Sequence, residues 1–337
     1  MQTFRIRNIK AQAREILQDT RPDYRRLVLL HGAVSVGVLL LISLLQYGIT
    51  LLDSTSGGLD GIATGALLKT AYSVLSTGAN IVLPFWELGI LFTSLLIVRK
   101  QQAGFPMLTQ GFRRFAPLLR YAILMALILL AVAIGCSYII SIYTIVVPMS
   151  PSLQNFFLTF AQAGAVDPYA LMDSVPAEFW DYMAKPLILY AVIYTAIITP
   201  LAYRFRMAQY VILESEDMGA RMSMGISNRL TKGYKWSLCK LDLSFWWYYL
   251  LQGLILSVAS IPAEITDNAL IILICYGISN LLSLVLVYFA GAYMHTSYAC
   301  AYEFLQARQR ELSVIPDMSV SQPPLTTTPL NLSDHQD

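Results

Sequence analysis

The chain has 337 residues, of which 56% are hydrophobic and only 13% charged, and its mean hydropathy is +0.56. Soluble domains carry about 25% charged residues, so this composition excludes a soluble enzyme or a nucleic-acid-binding domain and assigns most of the chain to lipid. The net charge of +2 says little as a total; the positions of the cations carry the information.

Residues 1–26 read as an amphipathic N-terminal segment. In FRIRNIKAQAREIL, Ile6, Ile9, Ala13, Ile16 and Leu17 share one helical face, with Arg5, Lys10 and Arg14 away from it. Two readings stay open: a helix lying on anionic lipid, or one packed on the inner loops. A bilayer core about 30 Å thick needs roughly 20 mostly apolar residues per helix, and six segments qualify, at about 27–52, 79–98, 117–147, 186–203, 244–261 and 270–294. The first is too long for a cleavable signal and is expected to be retained.

Between the first two spans, residues 62–78 are too short and polar to cross, and are expected to lie on the outer surface or dip in. RKQQAGFPMLTQGFRRFAPLLR mixes cations with Phe105, Phe112 and Phe115, as suits a short helix at the inner headgroup level. The outer loop at 148–185 carries Asp167, Asp173, Glu178 and Asp181, and Phe156, Phe157 and Phe160 suggest an interfacial turn. Its acidic spacing is not that of an EF-hand, so it reads as a solvated loop rather than a calcium site. Residues 27–311 thus form a six-span domain, and the Pro-, Ser- and Thr-rich tail, 312–337, has a disordered composition.

Seven Lys or Arg residues precede the first span, five cluster around the connection of spans two and three, seven join spans four and five, and two follow span six. Only Lys69 and Lys185 fall in the alternate loops. The positive-inside rule therefore predicts a plasma-membrane protein with both termini in the cytoplasm and an even number of spans. The expected fold is an all-α six-helix membrane bundle with amphipathic helices before spans one, three and five.

The longest inner loop holds the densest pattern. Met218, Met222, Ile226 and Leu230 recur at four-residue spacing as one apolar stripe, and Gly233 marks a helix end. GYKWSLCKLDLSFWW then crowds Lys235, Trp236 and Lys240 against the apolar run that opens at Ser244, with Trp246 and Trp247 completing an aromatic belt. Ser227, Gly233, Lys235, Leu241, Asp242, Leu243, Ser244 and Phe245 resemble the signature of a family of uncharacterised bacterial multi-pass membrane proteins, domain of unknown function 975. Cys239 departs from the aromatic position of that signature, and Ser227 lies nearer to Gly233 than the pattern has it. Pro84, Gly89, Arg99 and Tyr302 agree as well. The resemblance implies a fold and a membrane location. It implies no catalytic residue.

A few polar residues invite chemistry. Glu87, beside Pro84, is the one acidic side chain well inside a span; such residues usually face a bundle interior or a cavity, so it is either a coupling site for a proton or cation or an outer-interface carboxyl. Asp242 is expected to pair with Lys235 or Lys240 at the inner boundary. His31 and His295 form at most a sparse metal or acid–base pair, and the four cysteines (Cys136, Cys239, Cys275, Cys300) show no metal or disulfide spacing. No nucleophile elbow, HExxH, Walker A or GxGxxG occurs, and no cofactor is expected.

The expectation is a non-catalytic membrane protein that handles lipid or a hydrophobic solute, or acts as a scaffold. Arg113, Arg114, Lys232, Lys235, Trp236 and Lys240 would contact anionic headgroups. A secondary transporter or channel using Glu87, and an enzyme acting on lipid or envelope precursors, stay open, as does a protein partner or self-association.

Overall fold

A computed structural model describes residues 4–20, 24–55, 59–147, 149–162, 175–215, 218–266 and 268–312. Every regular element among them is helical. In chain order these are α1 (Ile6–Asp19), α2 (Tyr24–Thr55), α3 (Leu59–Val98), the short α4 (Phe105–Leu108) and α5 (Gln110–Arg113), and α6 (Phe115–Val146). There follow α7 (Pro151–Gln162), α8 (Ala177–Phe205), α9 (Ala208–Glu214), α10 (Ala220–Leu230), α11 (Lys235–Leu243), α12 (Trp246–Ile265) and α13 (Ala269–Leu286). A π-helical turn, Val287–Gly291, joins α13 to α14 (Ala292–Leu312). Asp167, Asp173 and the tail beyond residue 312 lie outside the described residues.

Five helical stretches are long and apolar enough to cross a membrane: Tyr24–Ile49, Gly65–Val98, Phe115–Val146, Ala177–Glu214 and Leu270–Glu311. They fall on five of the six predicted segments and are what a multi-pass membrane protein requires. The remaining segment is the 20-residue helix α12.

The segment at 62–78 differs from expectation. It is the first half of α3, which runs unbroken for 40 residues, so no turn separates it from the predicted second span. At about 1.5 Å per residue such a helix is about 60 Å long, twice the bilayer core of about 30 Å. Its sequence is rich in Ala and Leu, and the proline inside the helix comes only at Pro84, so no residue stops it earlier.

α2 packs on α3 and α13, α12 on α13, and α6 on α8. These groups are tied together at one end of the bundle, where α1, α4, α5, α9, α10, α11 and α14 gather around the end of α3. One core there joins Ile9 and Ala13 of α1, Leu95 of α3, Leu238 and Leu241 of α11, Phe245, and Tyr298 to Leu305 of α14. A second joins Phe85 and Leu88 of α3 to Leu118, Tyr121, Phe205, Ile212 and Met224. Because this end carries most of the Lys and Arg residues, we call it the basic end.

The packing decides two amphipathic patterns. The apolar face of α1 is not free for lipid: Ile9, Ala13 and Leu17 are buried against the bundle, and α1 packs on α14. Three of the four residues in the α10 stripe meet the core: Leu230 is buried in it and Met218 and Ile226 pack against it, while Met222 is exposed. Ala220, Ser223, Met224 and Ser227 are buried as well, because small side chains let α10 approach the break between α8 and α9.

Candidate functional site

The polar chemistry of the molecule is concentrated at the basic end, in two networks. In the first, Arg99 terminates α3. Its Nη2 donates to Glu214 Oε1 at 2.6 Å and its Nε to Glu303 Oε1 at 2.5 Å. Tyr302 and Gln306 of α14 complete the set, each donating to Glu214 Oε2, at 2.6 and 2.7 Å. Burial alone would lower the Arg99 guanidinium, but the Glu214 and Glu303 carboxylates outweigh it and hold the group above its ordinary value. One side chain thereby ties α3, α9 and α14 together.

The second network centres on Asp242. Arg206 meets it as a two-pronged fork, Nη1 to Oδ2 at 2.6 Å and Nη2 to Oδ1 at 2.9 Å. Such bidentate pairs are among the stronger charge-assisted hydrogen bonds. Tyr203 donates to Oδ2 at 2.7 Å, Tyr298 donates to Oδ1, and the Arg206 guanidinium lies 4.4 Å from the Tyr298 ring centre. Asp242 therefore does not pair with Lys235 or Lys240, as the sequence suggested. Arg206 sits at the end of α8 and is brought in only by the tertiary fold, while Lys240 lies over the Trp236 ring at 5.7 Å.

The other signature residues build the scaffold for this network. Ser227, fully buried, accepts from the Met207 N–H at 3.2 Å and donates to the Arg204 carbonyl at 2.9 Å. It satisfies backbone groups freed where α8 gives way to α9. Gly233 has φ +85°, the left-handed region that favours glycine. Ser244 and Phe245 form the break between α11 and α12: Lys10 of α1 donates to the Ser244 carbonyl at 3.0 Å and sits 4.1 Å above the buried Phe245 ring. Burial, and secondarily Arg14, lowers the Lys10 ammonium below its ordinary value. Leu241 is buried, while Leu243 is exposed.

Gly89 and Gly111 mark close backbone contact. A Cβ on Gly89 would lie 1.8 Å from the Leu108 carbonyl oxygen, and one on Gly111 would lie 1.9 Å from that of Phe85. The segment α4–α5 is seated directly on α3. Phe105, Phe112 and Phe115 remain partly exposed around it.

His31 and Trp86 lock α2 to α3. Their rings stack 5.0 Å apart at 3°, His31 Nε2 lies 3.1 Å from the Trp86 carbonyl, and Trp86 Nε1 donates to the His31 carbonyl at 3.2 Å. That occupies the Nε2 of His31. His295 Nδ1 is buried without a hydrogen-bond partner. Among the described residues no three His, Cys, Asp or Glu side chains are placed to hold a metal ion, and all four cysteines are free thiols.

Beyond α6, Glu178 accepts from Ser150 and Ser152 at 2.6 and 2.9 Å and Asp181 pairs with Lys185 at 2.6 Å, on the rim of a cavity of about 270 Å³. Phe156 and Phe157 pack against Phe179. Glu87 and Pro84 are exposed on α3, distant in sequence from both networks.

Sequence reasoning missed Arg206, Glu214 and Glu303 as site members. The available signal was a set of charged residues standing at the ends of apolar runs. No curated protein and no solved structure matches the chain. The model of the family described as "Protein of unknown function (DUF975)" matches residues 5–309, and the chain belongs to that family.

Proposed function

We propose that the protein is a non-catalytic, six-span plasma-membrane protein, with α12 as its fifth span and its basic end and both termini in the cytoplasm, that handles anionic lipid or a hydrophobic solute. One observation carries the reading: around the basic end, aromatic and cationic side chains point outward together. Trp236 is 65% and Trp246 61% exposed, Phe105, Phe112 and Phe115 are also exposed, and Arg113, Lys232 and Lys240 are exposed beside them. Rings of this kind settle at headgroup depth while the cations meet phosphate. The two networks behind them are satisfied internally and hold the rim in place.

Each cation near an anionic surface contributes about 1 kcal/mol. Neutralising Arg113, Lys232, Lys235 and Lys240 to Gln together lowers retained anionic lipid by about tenfold or more. Native mass spectrometry of the protein extracted gently from its membrane reads this directly. Unchanged lipid retention in a variant that elutes normally would overturn the headgroup reading.

A further inference from the structure

Two neighbouring helices measure the membrane. Tyr121 of α6 donates to the Phe205 carbonyl at the end of α8, at 3.3 Å, which sets a common level at the basic end, and α6 packs on α8. α8 carries no charge between Arg204 and Lys185, a run of about 28 Å at the helical rise per residue. α6 carries none from Tyr121 to its end, and by the same rise Tyr143 is about 33 Å from Tyr121. Both lengths match a hydrocarbon core about 30 Å thick. Lys185 and Tyr143 therefore stand at headgroup depth on the side of the membrane opposite the basic end.

The cavity of about 270 Å³ lies at that depth, lined by Tyr143 from α6 and by Glu178, Asp181 and Lys185 from α8. It is slightly smaller than the roughly 300–1,000 Å³ of pockets that enclose drug-sized ligands, which suits a headgroup and not a whole lipid. Its charged lining is mixed, two carboxylates against one ammonium. An anionic headgroup meets net repulsion there, whereas a zwitterion finds a partner for each of its charges. Glu178 receives both serine hydroxyls on Oε2, and its Oε1 accepts no hydrogen bond among the described residues. Lys185 directs one N–H to Asp181, and an ammonium has three donors. An acceptor for a cation and donors for a phosphate thus stand in one cavity. A primary ammonium can donate to Glu178 Oε1; a quaternary one has no N–H.

The same wall continues into the lipid. Steps of four, three and four residues put Asp181, Lys185, Ile188 and Val192 on one stripe of α8, and Ile188 and Val192 are 61% and 60% exposed. On one face, charges at headgroup depth give way to bare apolar surface running into the core, which is the order of chemistries along a phospholipid.

Resting on the orientation proposed above, which puts this end outside, we propose that the cavity is a site for an outer-leaflet phospholipid whose phosphate ester bears a primary ammonium, the phosphatidylethanolamine class. Glu178 Oε1 takes the ammonium, Lys185 takes the phosphate, and the acyl chains lie along Ile188 and Val192. This site is separate from the headgroup-facing rim at the basic end and differs from it in the charge of the lipid it selects.

The test is native mass spectrometry of the detergent-purified protein titrated with an equal mixture of phosphatidylethanolamine and phosphatidylcholine of the same chains. Wild type retains phosphatidylethanolamine in preference to phosphatidylcholine. E178Q, which keeps an acceptor for Ser150 and Ser152, lowers that preference by about fivefold, and K185Q weakens retention of both lipids by about the same factor, because both carry the phosphate. Equal retention of the two lipids by wild type, or an unchanged preference in E178Q, overturns the proposal, as does soluble phosphoethanolamine that displaces the lipid at equal concentration. Normal elution shows that both variants are folded; the Asp181–Lys185 pair is exposed and adds little to stability. The variant lacking four basic-end cations keeps the ethanolamine preference, and E178Q keeps its anionic lipid, so a failure of this site and a failure of the headgroup reading are separately visible.

Discussion

Helix α8 ends at Phe205, which is buried, and is followed at once by Arg206, forked onto Asp242. Nearer its start the same helix presents Leu187 at 68% and Val192 at 60% exposure. α6 shows the same contrast, from Leu118 at 2% to Ile145 at 82%, and of the five long apolar stretches among the described residues only that of α3 is more than half buried along its most apolar window. The difference follows from solvent. Lipid tails are as apolar as leucine, so helices immersed in them gain little by covering one another. The basic end carries most of the Lys and Arg residues, which are unsuited to lipid tails; where water is present burying apolar surface is favourable, and there the molecule builds its cores and ion-pair networks. Cores and ion-pair networks are concentrated at one end, and the apolar windows of α6 and α8 are left almost bare.

The sharpest way to break that contrast is at Asp242. Asp242→Ala leaves the Arg206 guanidinium without its counter-charge and two tyrosine hydroxyls without an acceptor. Removing one partner of a buried pair costs about 3–5 kcal/mol; the Arg206 side chain keeps 31% exposure, which puts the expected loss at about 3 kcal/mol, the lower end of that range. The thermal midpoint in mild detergent, read by size-exclusion recovery, falls further than for any substitution below. Replacing both partners, Arg206→Met with Asp242→Leu, recovers most of the loss, since an apolar pair leaves no uncompensated charge. A wild-type midpoint for Asp242→Ala would show that the network does not hold this end together.

The next effect tests backbone packing. Gly89→Ala sets a methyl against the Leu108 carbonyl, a backbone group that cannot swing aside, and overpacking of this kind costs about 1–3 kcal/mol. Gly37→Ala is the control: nothing lies within 4 Å of a Cβ there, and helix propensity favours Ala by roughly 0.5–1 kcal/mol. The two glycines move the midpoint in opposite directions if close approach is confined to the basic end.

Much of this division was legible in the residues. Apolar runs located the long helices because hydropathy and length are local properties, and GYKWSLCKLDLSFWW stood out because it mixes indoles with charge where a helix breaks. The partner of Asp242 was not legible, since Lys235 and Lys240 are near in sequence whereas Arg206 arrives through the packing of α8 on α11. The length of α3 was missed because polarity was read as a stop, although nothing from Leu59 onward terminates a helix. Nor could periodicity tell whether the apolar face of α1 meets lipid or protein; both satisfy the same pattern, and only Ile9 and Ala13 in the core decide it.

The smallest effect is expected where the helices are bare. Leu187→Ala on α8 and Ile145→Ala on α6 remove apolar atoms that are 68% and 82% exposed on the two residues. No packed neighbour is lost, no cavity forms, and lipid fills the vacated volume, so each shift stays within about 0.5 kcal/mol. A loss above about 1 kcal/mol at Leu187 would mean that a protein surface, not lipid, covers α8. The open half would then be an interface, and chemical crosslinking from a cysteine placed at position 187 would identify what covers it.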